Sequence, residues 1–174
     1  MLCSALALNA CEEPRAKFVF DEVTLEYTAS DENILDAFAA TFYLEGTDEP
    51  FDGKATMKGV KAPKMIWFFE EGKVLKVDSY NRKDQRLRSN VYEDGHTIAS
   101  RTWYDDGELW VEWSKESGIT REYYPSGQLK SEVPWSDQQV INGTVRLFDE
   151  EGNLMEQHEY VNGVIMKSEN STSE

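Results

Sequence analysis

After residue 11 this chain has no cysteine; Cys3 and Cys11 are the two it carries. A disulfide scaffold and a cysteine-based zinc site are therefore both excluded. Histidine is as scarce: His96 follows a turn glycine, and His158 sits between Gln157 and Glu159. Neither has a cysteine partner, and no Gly-x-Ser-x-Gly elbow is present, so nucleophilic catalysis has no visible machinery. Gly-rich phosphate loops and D-x-D-x-D-G calcium loops are missing too, and no cofactor or metal is expected. No stretch approaches the length of a membrane span. Positive charge is in deficit, 18 Lys and Arg against 33 Asp and Glu, which leaves −15 over 174 residues. Such a surface repels phosphate backbones, so no nucleic-acid partner is expected. It also repels anionic lipid headgroups unless something else supplies the attachment.

What the chain has is one turn chemistry, repeated. The strings Phe69–Gly72 (FEEG), Tyr92–Gly95 (YEDG), Tyr104–Gly107 (YDDG), Tyr124–Gly127 (YPSG) and Asp149–Gly152 (DEEG) each put two residues suited to a type I turn before a glycine. That pattern predicts tight hairpins with a glycine bulge. Eight residues after four of the glycines comes an aromatic, Tyr80, Trp103, Trp135 or Tyr160; three before four of them comes Phe69, Tyr92, Tyr104 or Tyr124. Fixed offsets of this kind signal a repeat protein. Further turn signals fall at 81–84, Gly118, 136–143 and Asn162-Gly163, about ten to thirteen residues apart, the spacing of an all-β meander. Pro134 falls late in its strand, where an edge or strand end tolerates it.

Upstream, Phe18–Thr28 partly alternates apolar and polar residues and reads as one strand. Ser30 is an N-cap for a short helix over 31–40, with Ile34, Leu35 and Phe38 at helical spacing. Thr41–Leu44 reads as a strand and Asp52-Gly53 as a turn. The first eleven residues, MLCSALALNAC, are apolar, small and uncharged, and Glu12, Glu13 and Pro14 follow abruptly. This looks like the end of a secretion signal. Leu8-Asn9-Ala10-Cys11 resembles a bacterial lipobox, which would make Cys11 the lipidated first residue of the mature protein. The usual positive n-region is absent, as a start codon assigned too late would explain. Glu12 rather than Asp after the cysteine resembles sorting to an outer membrane, facing the periplasm.

The repeated units resemble the variant MORN repeats of bacterial YwqK-like proteins, whose members are often labelled antitoxins. The best copy is Glu122–Glu132, with Tyr123, Tyr124, Gly127, Leu129 and Lys130, closing at Trp135; the last runs from Gly143 to Gly163 and keeps Phe148, Gly152, Leu154 and Tyr160. The string Phe42–Gly53 resembles the segment that opens the repeat array. The resemblance implies an elongated, repeat-built antiparallel meander of stacked hairpins, all-β apart from one short N-terminal helix. Family members are commonly secreted or lipid-anchored. The expected organisation is a truncated lipoprotein signal at 1–11, a linker at 12–17, a strand and short helix at 18–40, the repeat domain at 41–167 and a disordered tail at 168–174.

For function, the aromatics carry most information. Adjacent strand residues face opposite ways, so Phe68-Phe69, Trp103-Tyr104 and Tyr123-Tyr124 put aromatics on both faces of the sheet. One face can be ordinary core. The other must be covered by the N-terminal segment, by curvature, by a ligand or by a partner. The candidate binding residues are Trp67, Trp103, Trp110, Trp113, Tyr123 and Trp135, as an aromatic groove for a glycan or an extended peptide. The paired carboxylates at Glu70, Glu71, Glu93, Asp94, Asp105, Asp106, Glu150 and Glu151 are turn formers and solubilisers at solvent-exposed tips. The leading expectation is a non-enzymatic, lipid-anchored binding or scaffold protein of the cell envelope with a protein or glycan partner. The alternatives are a cytoplasmic antitoxin that neutralises a basic partner by charge, and a carbohydrate-active enzyme using two carboxylates.

Overall fold

A computed structural model describes residues 15–27, 38–58, 64–134 and 141–170. Within them the chain forms fourteen strands in two antiparallel sheets. Strands β1 (Ala16–Val19), β2 (Thr24–Tyr27) and β3 (Phe42–Leu44) make the smaller sheet. The larger has eleven strands in strict sequence order: β4 (Gly53–Met57), β5 (Lys64–Glu70), β6 (Lys73–Tyr80), β7 (Arg86–Glu93), β8 (His96–Trp103), β9 (Leu109–Ser114), β10 (Ile119–Tyr123), β11 (Leu129–Pro134), β12 (Gly143–Phe148), β13 (Leu154–Val161) and β14 (Val164–Asn170). The all-β meander expected from the turn spacing is thus observed.

The turns sort by end of the sheet. At one end, β5–β6, β7–β8 and β13–β14 close through two residues, both with positive φ: Glu71-Gly72, Asp94-Gly95 and Asn162-Gly163. These are type I′ turns, whose twist suits a hairpin. At the other end, β6–β7, β8–β9, β10–β11 and β12–β13 share a wider turn. Its first residue donates its N–H to the carbonyl four residues on and accepts from the N–H three on, as in Tyr104 N to Glu108 O (2.9 Å) and Gly107 N to Tyr104 O (3.0 Å). This is a type I turn with a glycine bulge; Asp84 takes the left-handed position in the first copy. The expected bulged turn is therefore right for YDDG, YPSG and DEEG. It is wrong for FEEG and YEDG, where Glu71 and Asp94 themselves adopt positive φ.

Other expectations are corrected. The single strand over 18–28 is a hairpin, because Asp21 and Glu22 turn the chain and Phe20 N–H bonds Val23 O at 2.9 Å. Asp52-Gly53 is not a turn: Gly53 opens β4, and Asp52 accepts from the N–H of Glu71. β3, expected at the head of the repeat domain, pairs with β2 in the small sheet. Ser168, Glu169 and Asn170, expected in a disordered tail, form the end of β14. The expected helix falls largely on 31–37, outside the described residues; Phe38 has 3-10 geometry and 39–40 form a turn and bend, none of them α-helix.

The core lies where the small sheet covers β4–β7. Leu25 and Phe42 are fully buried, with Phe20, Ala55, Trp67, Phe69, Val74 and Val77 around them. Burial of each large side chain contributes about 1.5–3 kcal/mol. Phe38 stacks between Trp67 (5.1 Å between ring centroids) and Tyr92 (4.6 Å). Backbone bonds from Phe42 N to Gly72 O (2.8 Å) and from Gly72 N to Phe51 O (3.0 Å) fasten the segment to the sheet.

Candidate binding surface

Strand pairing lines up one row of residues across the sheet: Arg101 on β8 opposite Glu112 on β9, then Arg121, Glu132, Arg146, Gln157 and Glu169 on β10 to β14. Directly paired residues share a face, so this is a ladder of alternating charge from Arg101 to Arg146, with neutral Gln157 between Arg146 and Glu169. Arg101 Nε donates to Glu112 at 3.0 Å, Arg121 Nε to Glu132 at 2.9 Å, and Arg146 Nε to Gln157 at 3.2 Å; Arg146 Nη1 lies 3.4 Å from Glu132. The register about each hairpin turn produces the row, since the turn centre fixes which residues oppose. Sequence reading gave no weight to these six charges, because they are unremarkable until the turns set the register.

Two residues along the same strands, on opposite sides of the row, lie different surfaces. On one side Val91, Ala99, Ser114 and Ile119 line a hollow of about 250 Å³, with Arg101, Glu112, Arg121 and Ser89, which pairs with Arg101, along its margin. Small side chains leave the space open there. On the other side stand Trp103 and Tyr123. Arg86 lies over the Trp103 ring at 5.3 Å, and Tyr123 donates its hydroxyl to Glu112 at 2.9 Å. Burial and the Glu112 carboxylate push the Tyr123 phenol up to about 12. Burial alone would raise Glu112, but the Arg101 guanidinium, the Tyr123 hydroxyl and nearby Arg121 hold it below the usual carboxylate range. Glu112 is thus ionised at neutral pH.

Of the six expected aromatics, the five within the described residues do not gather into one groove. Trp67, 5% exposed, is core beneath the small sheet, against Phe18, Phe20 and Phe38. Trp113 lies in the same row as Trp67, through Val77, Asn90 and Ser100, and so on the face opposite the charge ladder. Trp110, 41% exposed, occupies an extra position where the β8–β9 register shifts, and donates Nε1–H to Glu122 at 3.2 Å. Trp103 and Tyr123 share the ladder face. Trp135 and Cys11 lie outside the described residues. The tip carboxylates Glu70, Glu71, Glu93, Asp94, Asp105, Asp106, Glu150 and Glu151 are exposed. Among the described residues no group of three or more His, Cys, Asp or Glu is placed to hold a metal.

The hairpins are also tied to one another. Tyr104, first residue of its turn, donates its hydroxyl to Tyr123 O (2.8 Å), just before the next such turn; Tyr124 does the same to Phe148 O (2.9 Å). In the outer two copies an Asx side chain closes the turn on itself: Asn81 accepts from the N–H of Gln85 (3.1 Å), and Asp149 from that of Asn153 (2.7 Å). The two inner copies thus reach on to the next turn, and the two outer copies close on themselves.

The family model described as "MORN repeat variant" matches residues 116–137 and 141–162. These spans contain β10–β11 and β12–β13 with their bulged turns, and the same turn geometry recurs upstream at 104–108 and 81–85. No curated protein matches the chain. Among solved structures, the GtfA/B complex bound to UDP and GlcNAc is similar at 15% identity over 63% of this chain and 22% of its own, with a TM-score of 0.31. TarM is similar at 13% identity over 63% of this chain and 19% of its own, also with a TM-score of 0.31. The chain spans about a fifth of the length of those structures.

Proposed function

We infer that this chain is a non-enzymatic binding or scaffold protein, held at a bacterial envelope membrane by a lipid on Cys11. The observation that carries the binding role is the ladder face, an open sheet surface where ion-paired arginines separate a polar hollow from Trp103 and Tyr123. Each arginine commits Nε–H to the row, while a guanidinium carries five donors in all. Donors beside an aromatic surface suit an extended peptide or a glycan. Anchoring rests on Leu8-Asn9-Ala10-Cys11 and its acidic flank. A lipid supplies the attachment that a −15 surface refuses to anionic headgroups. A YwqK-like lipoprotein identity belongs to the same reading.

The test is capture from envelope extract by the immobilised protein, compared with Arg101→Ala/Trp103→Ala. Both side chains are at least partly exposed, so the variant keeps its fold, which far-UV circular dichroism checks. The reading expects a partner that the wild type retains and the variant loses. Equal capture by both, or capture of nothing but cytosolic basic proteins, would contradict it; the second outcome favours charge neutralisation.

A further inference from the structure

We propose that β14 is a homodimer interface, pairing antiparallel with β14 of a second copy about a two-fold axis at Ser168. The two edges of the large sheet are treated differently. The β4 edge is closed by the β1–β2 turn: Asp21 N–H bonds Thr56 O at 2.7 Å, Glu22 accepts from Thr56 N–H at 2.8 Å, and Asp21 accepts from Lys58 N–H at 3.3 Å. Among the described residues the β14 edge is bare. All seven residues of β14 are exposed, Val164, Ile165 and Met166 by more than half, and among the described residues no strand pairs with its outer side. An open edge of unpaired N–H and C=O groups is a template for another strand.

Charge selects the occupant. The ladder runs across the sheet and stops at Glu169, whose cation is Lys167 of its own strand, 2.5 Å away. A lone edge lysine ordinarily blocks pairing. Here, turning a second copy about Ser168 sets Lys167 opposite the partner's Glu169, and Glu169 opposite the partner's Lys167. The alternating row then continues through the junction. A two-fold axis at Lys167 would instead oppose two lysines, which is destabilising. The Lys-Ser-Glu string is therefore self-complementary in one antiparallel register, and the occupant it fits is this chain itself. Both remaining edges of the dimer are β4 edges, already closed, so the assembly stops at two copies. At 0.15 M salt the screening length is about 8 Å, so the pairs at the junction outweigh the distant net charge. This inference is independent of the lipid anchor and of the ladder-face partner.

Sedimentation equilibrium of the 174-residue chain at 0.15 M salt tests it. The wild type should be dimeric, and Lys167→Glu and Glu169→Lys alone should each weaken association by about tenfold or more. An equimolar mixture of the two should recover a heterodimer, and the double exchange Lys167→Glu/Glu169→Lys should recover a homodimer. Both positions are exposed, so an unchanged far-UV circular dichroism spectrum separates lost pairing from lost folding. A wild type that is monomeric at about 100 µM (association weaker than about −5.5 kcal/mol) would overturn the proposal. So would single variants as dimeric as wild type, or charge exchange that restores nothing.

Discussion

At the residue scale, two turn glycines that look alike in sequence carry different loads. Gly72 and Gly107 both have positive φ, which a side chain adopts only with strain. A Cβ at Gly72 would also lie 2.6 Å from the carbonyl oxygen of Phe42 and from the Thr41 side chain, whereas at Gly107 nothing stands within 4 Å. Gly107→Ala should therefore cost about 1 kcal/mol of backbone strain. Gly72→Ala should cost clearly more, because the small sheet must shift off the turn. Urea unfolding of both variants checks this, and equal losses would mean that Gly72 is no docking point. The Tyr123 phenol gives a second residue-level test. Its folded value of about 12 lies above the ordinary 10, so the native state holds the proton longer. Its contribution to stability is complete below about pH 10 and is lost as pH rises toward about 12. An absorbance titration of wild type minus Tyr123→Phe should show a phenolate step near the upper value; a step at the ordinary value would place Tyr123 in solvent.

At the element scale, the hairpins are coupled through tyrosine. Tyr124 reaches Phe148 O across the gap between one bulged turn and the next. Tyr124→Phe should lower stability by about 0.5–1.5 kcal/mol. It should also raise hydrogen exchange selectively in β12–β13, which exchange mass spectrometry would resolve; a change confined to β10–β11 would refute inter-repeat coupling. Much at this scale was legible in the sequence. Gly107, Gly127 and Gly152 mark bulged turns because glycine meets the positive φ that position demands. A type I′ turn needs positive φ at both central residues; composition names Asn, Asp or Gly for the first, so Glu71 gives no such signal, whereas Asp94-Gly95 does carry the type I′ dipeptide and differs from the bulged copies in register rather than in composition. Asp21-Glu22 went unseen as a turn because it carries neither glycine nor proline. The charge ladder was illegible for a different reason. Arg101 and Glu112 become neighbours through register alone, and register is a property of the turn between them.

At the scale of the whole molecule, aromatic content divides between two jobs. Trp67, Phe69 and Phe20 build a core where a small sheet covers β4–β7. Trp103 and Tyr123 stay on the ladder face, where the same sheet does not reach. The aromatics expected to form one groove were therefore assigned by residue type where face was the deciding variable, and faces follow from pairing across eleven strands. The central claim joins that open face to a membrane through Cys11. Intact-mass spectrometry of the protein, purified from membranes of the cell that makes it, tests this most directly. The account predicts a mature chain beginning at Cys11 and heavier than its sequence by an acylated glyceryl group. An unmodified chain that retains residues 1–10 and partitions wholly into the soluble fraction would contradict it.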